Sequence, residues 1–373
     1  AGTAALLSAC DAVKAGALGS AMVCASDHRP TKAASEQEQV YGDGAAALLV
    51  GSDGVIATLE GSYSVSYDFL GRWKADMDEF EHSWEARWVR EEGYAKFIPE
   101  AISGLLKKYN LNIKDFAKIA YSCPFARDHA AIGKRLGADP SQIQDNLFTT
   151  VGDTGTAYPL MMLVAALEEA KPGDKILVAS YGNGADALFF QVTDKITQLG
   201  DRKGVKKNLA NKADLPSYEK FVAFSRLIPV EGGIRAEQIA PTQVSVLWRD
   251  RRAILGLVGS KCKRCGTPQY PAQRVCINPN CLAVDEMEDY RFSDKVGNLR
   301  GFTGDNLAFS LAPPSIYGRV EFEGGGVYYF DVIDTDLESL KIDMPVEMSL
   351  RKKYTDPKYG WYDYFWKVVP VRE

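Results

Sequence analysis

The sequence predicts a layered α/β fold, internally duplicated, followed by a cysteine-rich ribbon and a small all-β barrel. Three observations predict it. Residues 2–26, GTAALLSACDAVKAGALGSAMVCAS, repeat as residues 155–180, GTAYPLMMLVAALEEAKPGDKILVAS, and GDGAAALLV from Gly42 repeats as GNGADALFF from Gly182. Each copy reads as helix, strand and strand, and two copies suggest an ancient duplication with pseudo-twofold symmetry. The helices of both copies are apolar nearly all round, which predicts burial on every side, as in a middle layer between two sheets. The alternative is two ordinary half-exposed helices. Last, four cysteines cluster at 262–281, and alternating strand-like runs follow them.

Taken in order, the first helix spans about Thr3 to Ala15 and a strand leads to Ser26. Residues 27–41 are polar and predict an exposed loop. Strands at Ala45 to Val50 and Val55 to Ser66 follow. Residues 68–95, with Trp73, Trp84, Trp88 and His82, predict a loop or helical excursion over a surface. Next come a helix at Phe97 to Tyr109, a strand at Lys118 to Ser122 stopped by Pro124, and a helix at Arg127 to Leu136. The second copy then gives a turn at Gly152-Asp153, a helix at Thr156 to Ala170, a strand at Lys175 to Ser180, a glycine turn at 182–184 and a strand through Phe189.

After Thr193 the chain turns polar and basic, so residues 194–214 read as a linker between a core at 1–193 and the C-terminal part of the chain. Residues 215–290 read as a short amphipathic helix, Tyr218 to Leu227, and the cysteine ribbon. Residues 291–373 read as the barrel, with strands at Leu299 to Thr303, Val327 to Val332, Val346 to Leu350 and Trp361 to Val369.

A net charge of −5 gives no electrostatic case for nucleic acid or an anionic membrane. The longest apolar run, near Ala157 to Leu167, is too short to span a bilayer. The three scattered cysteines sit in apolar contexts, which points to a reducing cytoplasm. The chain opens on Ala1, inside the first helix and without Met, which reads as truncation.

Cys262, Cys265, Cys276 and Cys281 form C-x2-C-x10-C-x4-C. Two knuckles joined by a short ribbon bring four thiolates around one zinc ion, and four cysteines leave no open position for catalysis. The site is therefore expected to be structural. A redox disulfide pair is the weaker alternative.

The residues Ala1-Gly2-Thr3-Ala4-Ala5-Leu6, Ser26-Asp27-His28-Arg29, Tyr41-Gly42-Asp43-Gly44, Gly152-Asp153-Thr154-Gly155 and Lys171-Pro172-Gly173-Asp174 resemble the thiolase superfamily. The nearest resemblance is to 3-hydroxy-3-methylglutaryl-CoA synthases of archaeal and bacterial type, over about residues 1–193. The remainder, with its four cysteines, Tyr270-Pro271, Tyr317-Gly318-Arg319-Val320 and Gly324-Gly325-Gly326, resembles the zinc-ribbon plus OB-fold acyl-CoA-binding proteins that accompany thiolase-like enzymes. The resemblance implies an αβαβα layered core and a CoA thioester as substrate. It also implies a homodimer, and it allows a larger complex with a thiolase.

The family's chemistry needs a cysteine nucleophile whose thiol is activated at a helix start. In the family it lies two residues before Ala1-Gly2-Thr3, off this chain; the repeat equates that place with Gly152. Cys10 lies within the helix and is expected to pack in the core. Ser122 stands in the place of the family histidine, and a serine has no proton affinity near neutrality. Asp153 stands in the place of the family asparagine, and would be a base only if burial raised its pKa. Asn183 lies in the glycine turn where the family has a site-lining loop. Arg127 matches a family lysine, implying contact with a CoA phosphate; the plain alternative is a solvated helix-start arginine. His129 is expected at the surface.

Three functions emerge as expectations. The first is an acyl-CoA carbon–carbon bond-forming or -cleaving acyltransferase. The second is a non-catalytic thiolase-fold partner. The third, weakened by the charge, is a barrel that stacks bases on the aromatic run Tyr359 to Trp366.

Overall fold

The computed structural model describes residues 1–200, 202–232, 242–356 and 360–372. Tyr359, at the head of the aromatic run, lies outside them. The chain divides into two compact units, residues 1–210 and 211–373.

The first unit contains α1 (Gly2–Lys14), β1 (Ser20–Asp27), β2 (Gly44–Gly51) and β3 (Ala57–Ser66). The excursion comes next as a two-residue hairpin, β4 (Arg72–Trp73) with β5 (His82–Ser83), then α2 (Ala86–Trp88) and a π-helical turn, Val89–Tyr94. After it come α3 (Ala95–Tyr109), β6 (Lys118–Tyr121), α4 (Ala126–Leu136), α5 (Phe148–Val151), α6 (Tyr158–Glu169), β7 (Lys175–Gly182), β8 (Gly184–Val192) and α7 (Val205–Ala210).

β3, β8, β7 and β6 form one sheet in that order, with β6 parallel to β7 and the other pairs antiparallel. One face packs on α6 through Ile176, Val178, Leu188 and Phe190. The other packs on α3 and α4 through Leu177, Ala179, Ala187 and Phe189. Covered on both faces, β7 and β8 need apolar residues at nearly every position, which explains ILVAS and ALFF. Gly184, at φ +117°, makes the turn between them; a Cβ there would lie 2.0 Å from the Val65 carbonyl oxygen.

β1 and β2 form a separate antiparallel pair. Val23 and Ala25 face the helices, whereas Met22 and Leu49, paired across the strands, are 68% and 74% exposed. The layers are thus a two-stranded sheet, the α1/α6 pair, the four-stranded sheet and the α3/α4 layer. Only one of the repeated helices is buried as expected. α6 is covered along most of its length, but Ala4 and Ala5 of α1 are exposed and Cys10 is half-buried. Apolar composition predicts burial only where both neighbouring layers are wide enough to supply it.

Two further expectations are corrected. Arg29 and Thr31, in the segment expected to be an exposed loop, are buried. Residues 194–210, expected as linker, fold back: Ile196 and Val205 join the core around α6.

The second unit begins with α8 (Tyr218–Phe224), α9 (Val244–Arg249) and α10 (Arg251–Gly256). The ribbon is β9 (Val258–Cys262), β10 (Pro268–Gln269) and β11 (Met287–Arg291), with β9 central. The five-stranded antiparallel sheet has β12 (Val296–Asp305), β13 (Ser315–Phe322), β14 (Val327–Asp331), β15 (Pro345–Thr355) and β16 (Tyr362–Pro370), in the order β14-β13-β12-β15-β16. Val332, just past β14, bridges Val368 of β16, so the outer strands meet. Phe292, Leu299, Val320, Val346 and Val368 fill the interior.

Candidate functional site

The candidate site lies where β6, β7 and the start of α6 end near one another. Ser122 follows β6, and its hydroxyl oxygen accepts a hydrogen bond from the Tyr181 backbone N–H at 3.2 Å. The Ser122 N–H donates to the Ala179 carbonyl, extending the parallel pairing by one residue. Ser122 is buried.

Asp153 precedes the helical turn that leads into α6, and it too is buried. Arg72, from the excursion, donates to its Oδ2 at 2.5 Å, and Arg29 lies 3.2 Å from its Oδ1. The Gly155 N–H donates to Oδ1 as well. Burial alone would raise this carboxyl, but the Arg72 and Arg29 charges outweigh it and hold the pKa below the usual carboxylate value. Asp153 is therefore an ionised, saturated acceptor at neutral pH. The condition under which it would be a base, a pKa raised by burial, is not met.

Around this pair lies a tyrosine cluster. The Tyr41 ring is covered by the Arg29 guanidinium at 3.4 Å, with Arg72 at 4.9 Å. Tyr94, from the π-helical turn, stacks on Tyr181 at 3.9 Å. Burial pushes the Tyr94 phenol well above its ordinary value, against the pull of Arg72. Glu81 pairs with Arg29, so the hairpin of the excursion is pinned twice, by Arg72 on Asp153 and by Glu81 on Arg29. Cys123, next to Ser122, is buried, and its thiol is pushed up to about 12 by that burial. It is a neutral thiol, not a nucleophile, at neutral pH.

The start of α1 is tied to the same sheet. The Thr3 hydroxyl donates to Asp186 Oδ2 at 2.7 Å and lies 2.8 Å from the Ser180 hydroxyl. Asn183 and Arg127 stand outside the buried cluster. Asn183 is exposed in the β7–β8 turn, where its carbonyl accepts from the Tyr67 N–H. Arg127 is exposed in the first turn of α4. His129, expected at the surface, is buried against Tyr121 at 4.3 Å between ring centres. Its Nε2 has no hydrogen-bond partner among the described residues, and burial lowers its pKa to about 4.

Sequence reasoning found Ser122 and Asp153 but missed Arg29, Arg72, Tyr94 and Tyr181 as parts of this site. Tyr181 had a usable signal, because it matches Tyr41 in the repeat. Arg72 had none: it meets Asp153 across 81 residues.

In the second unit the four cysteine sulfurs lie within 4.8 Å of one another. Cys262 and Cys281 are 3.8 Å apart, and Cys265 and Cys276 are 3.5 Å apart. Four sulfurs at about 2.3 Å from a tetrahedral zinc ion stand about 3.8 Å apart, so the set fits zinc. Backbone turns shape both knuckles: the Gly266 N–H donates to the Cys262 carbonyl, and the Cys281 N–H to the Asn278 carbonyl.

Residues 249–288 match the family described as ChsH2, rubredoxin-like zinc ribbon domain. The chain is 29% identical over 205 residues to a hydroxymethylglutaryl-CoA synthase of Methanopyrus kandleri, covering 54% of this chain and 58% of the relative. It is 33% identical over 208 residues to one of Pyrobaculum arsenaticum, covering 55% and 59%. The chain thus spans less than two thirds of the length of these curated relatives. Among solved structures, PksG, an HMG-CoA synthase from Bacillus subtilis, aligns with a TM-score of 0.49 and 15% identity, over 64% of this chain and 68% of that one. Over about half its length the chain is a homologue of hydroxymethylglutaryl-CoA synthases, and it carries in the same polypeptide a ChsH2-type rubredoxin-like zinc ribbon.

Proposed function

We propose that this protein binds CoA thioesters and takes part in acyl-CoA carbon–carbon bond formation or cleavage of the hydroxymethylglutaryl-CoA synthase kind. The observation that carries this reading is the homology over about half the chain, 33% identity across 208 residues to an enzyme of that name. The site geometry is compatible with it, since Ser122 and Asp153, both at family catalytic positions, lie beside the buried tyrosine and arginine cluster. Asn183 and Arg127, at the exposed rim, would meet the distal parts of the ligand. Zinc, held by Cys262, Cys265, Cys276 and Cys281, would stabilise the ribbon. The sheet order with its closing Val332–Val368 bridge supports the OB-fold expectation for the barrel. A homodimer, an association with a thiolase and a cytoplasmic location belong to the same reading.

A second reading, a thiolase-fold partner without its own turnover, is favoured by one observation. Asp153 is held ionised by two arginines, and the Ser122 hydroxyl is already an acceptor for Tyr181. Neither is placed to abstract a proton. Release of free CoA from acyl-CoA substrates by the zinc-loaded full chain separates the two. Turnover supports the enzyme; thioester binding without turnover supports the partner; neither binding nor turnover removes both.

A further inference from the structure

Tyr41 and Tyr181 occupy matching places in the two halves of the repeat, one opening Tyr-Gly-Asp-Gly before β2 and the other Tyr-Gly-Asn-Gly before β8. Both hydroxyl oxygens are buried, and neither has a hydrogen-bond partner among the described residues. An unpaired buried hydroxyl is destabilising, because it has lost its water without gaining a partner. A phenylalanine would give the same packing without that cost, so the fold itself does not call for either oxygen.

The surroundings of the two hydroxyls differ from an ordinary core. Arg72 is the shared neighbour, its charge acting on both phenols. Its side chain is 20% exposed, and one guanidinium nitrogen holds Asp153. The Tyr181 oxygen lies against Gly71 and Gly93, where an added Cβ would come within 2.9 and 2.4 Å of it. Two residues without side chains thus let that oxygen lie directly against their backbones. Burial raises both phenols, Tyr181 to about 12, so each carries its proton at neutral pH and is a donor.

We propose that the Tyr41 and Tyr181 hydroxyls, with Arg72, are the hydrogen-bond donors that receive the oxygen-bearing acyl end of a CoA thioester. The inference rests on the function proposed above and names the groups that recognise the acyl carbonyl. It places donors in a site where Asp153 would repel a developing oxyanion, and it gives the unpaired hydroxyls a partner that arrives with the ligand.

The test uses the zinc-loaded full chain, with acetyl-CoA and free CoA as probes in calorimetric titration and with thermal melting as control. Wild type is expected to bind acetyl-CoA more tightly than CoA. Tyr181→Phe and Tyr41→Phe are expected to weaken acetyl-CoA about five- to tenfold each, to leave CoA unchanged, and to keep or raise the melting temperature. Phe variants that retain the wild-type preference overturn the proposal. So does a fall in melting temperature with parallel loss of both ligands, which marks a structural role. Wild type that binds both probes equally overturns it while leaving the CoA reading intact. Wild type that binds neither removes that reading and this inference together.

Discussion

At the scale of single residues, the Arg72–Asp153 pair decides what the site can do. A buried carboxylate deprived of one partner is costly, so Arg72→Met is expected to destabilise the first unit by about 3 kcal/mol. The double variant Arg72→Met with Asp153→Asn should recover part of that loss, because no unpaired anion remains. Denaturant unfolding of the two variants checks this, and equal losses would show that the pairing is not the cause. His129 sets a pH dependence of its own. Its folded pKa, about 4, lies below its ordinary value of 6.5, so the unfolded chain binds the extra proton first. Stability should be intact above about pH 6.5 and fall between there and pH 4, by a cost on the order of 3 kcal/mol. His129→Phe, which keeps a ring against Tyr121, should flatten that window. Unchanged pH dependence in the variant would show that another group is responsible.

At the scale of elements, the excursion between β3 and α3 differs most from the expectation its sequence raises. Its aromatic and charged residues suggest a surface cover, yet it carries Arg72 and Tyr94 into the site and is pinned by Glu81 on Arg29. Gly93→Ala is expected to displace the Tyr181 ring, because a Cβ there meets the ring and its hydroxyl. Weakened thioester binding with little change in free CoA binding would register that displacement; intact binding would show that the ring adapts. The zinc ribbon has little core of its own: its buried cluster is Cys262, Cys276 and Ala283. Metal removal, or Cys276→Ser, should therefore unfold β9–β11 while the first unit keeps its structure. Hydrogen exchange of those strands reads the outcome, and undiminished protection without metal would refute the structural role. The cysteine spacing made this site legible in advance. β13 was not legible as a strand, because Gly318 takes one of its inward positions and breaks the apolar alternation of Ile316, Val320 and Phe322, although it lies between β12 and β14.

At the scale of the whole molecule, the repeat made the layered core readable, since α6, β7 and β8 follow the segment that encodes them. The two copies are nevertheless unequal. The sheet beside α6 has four strands and two covered faces, whereas β1 and β2 stand as a pair with Met22 and Leu49 exposed. Local pattern carries the propensity of each helix, but not the width of the sheet that buries it. The site was half legible for a similar reason. Ser122 and Asp153 sit in short motifs, while the groups that set their chemistry arrive from far along the chain. Everything proposed for this site depends on its receiving CoA thioesters. Equilibrium titration of the zinc-loaded full chain with a series of acyl-CoAs puts that dependence to trial. Saturable binding that depends on the acyl group and weakens in Tyr181→Phe is expected; no binding of any thioester to a folded, zinc-replete protein would contradict it.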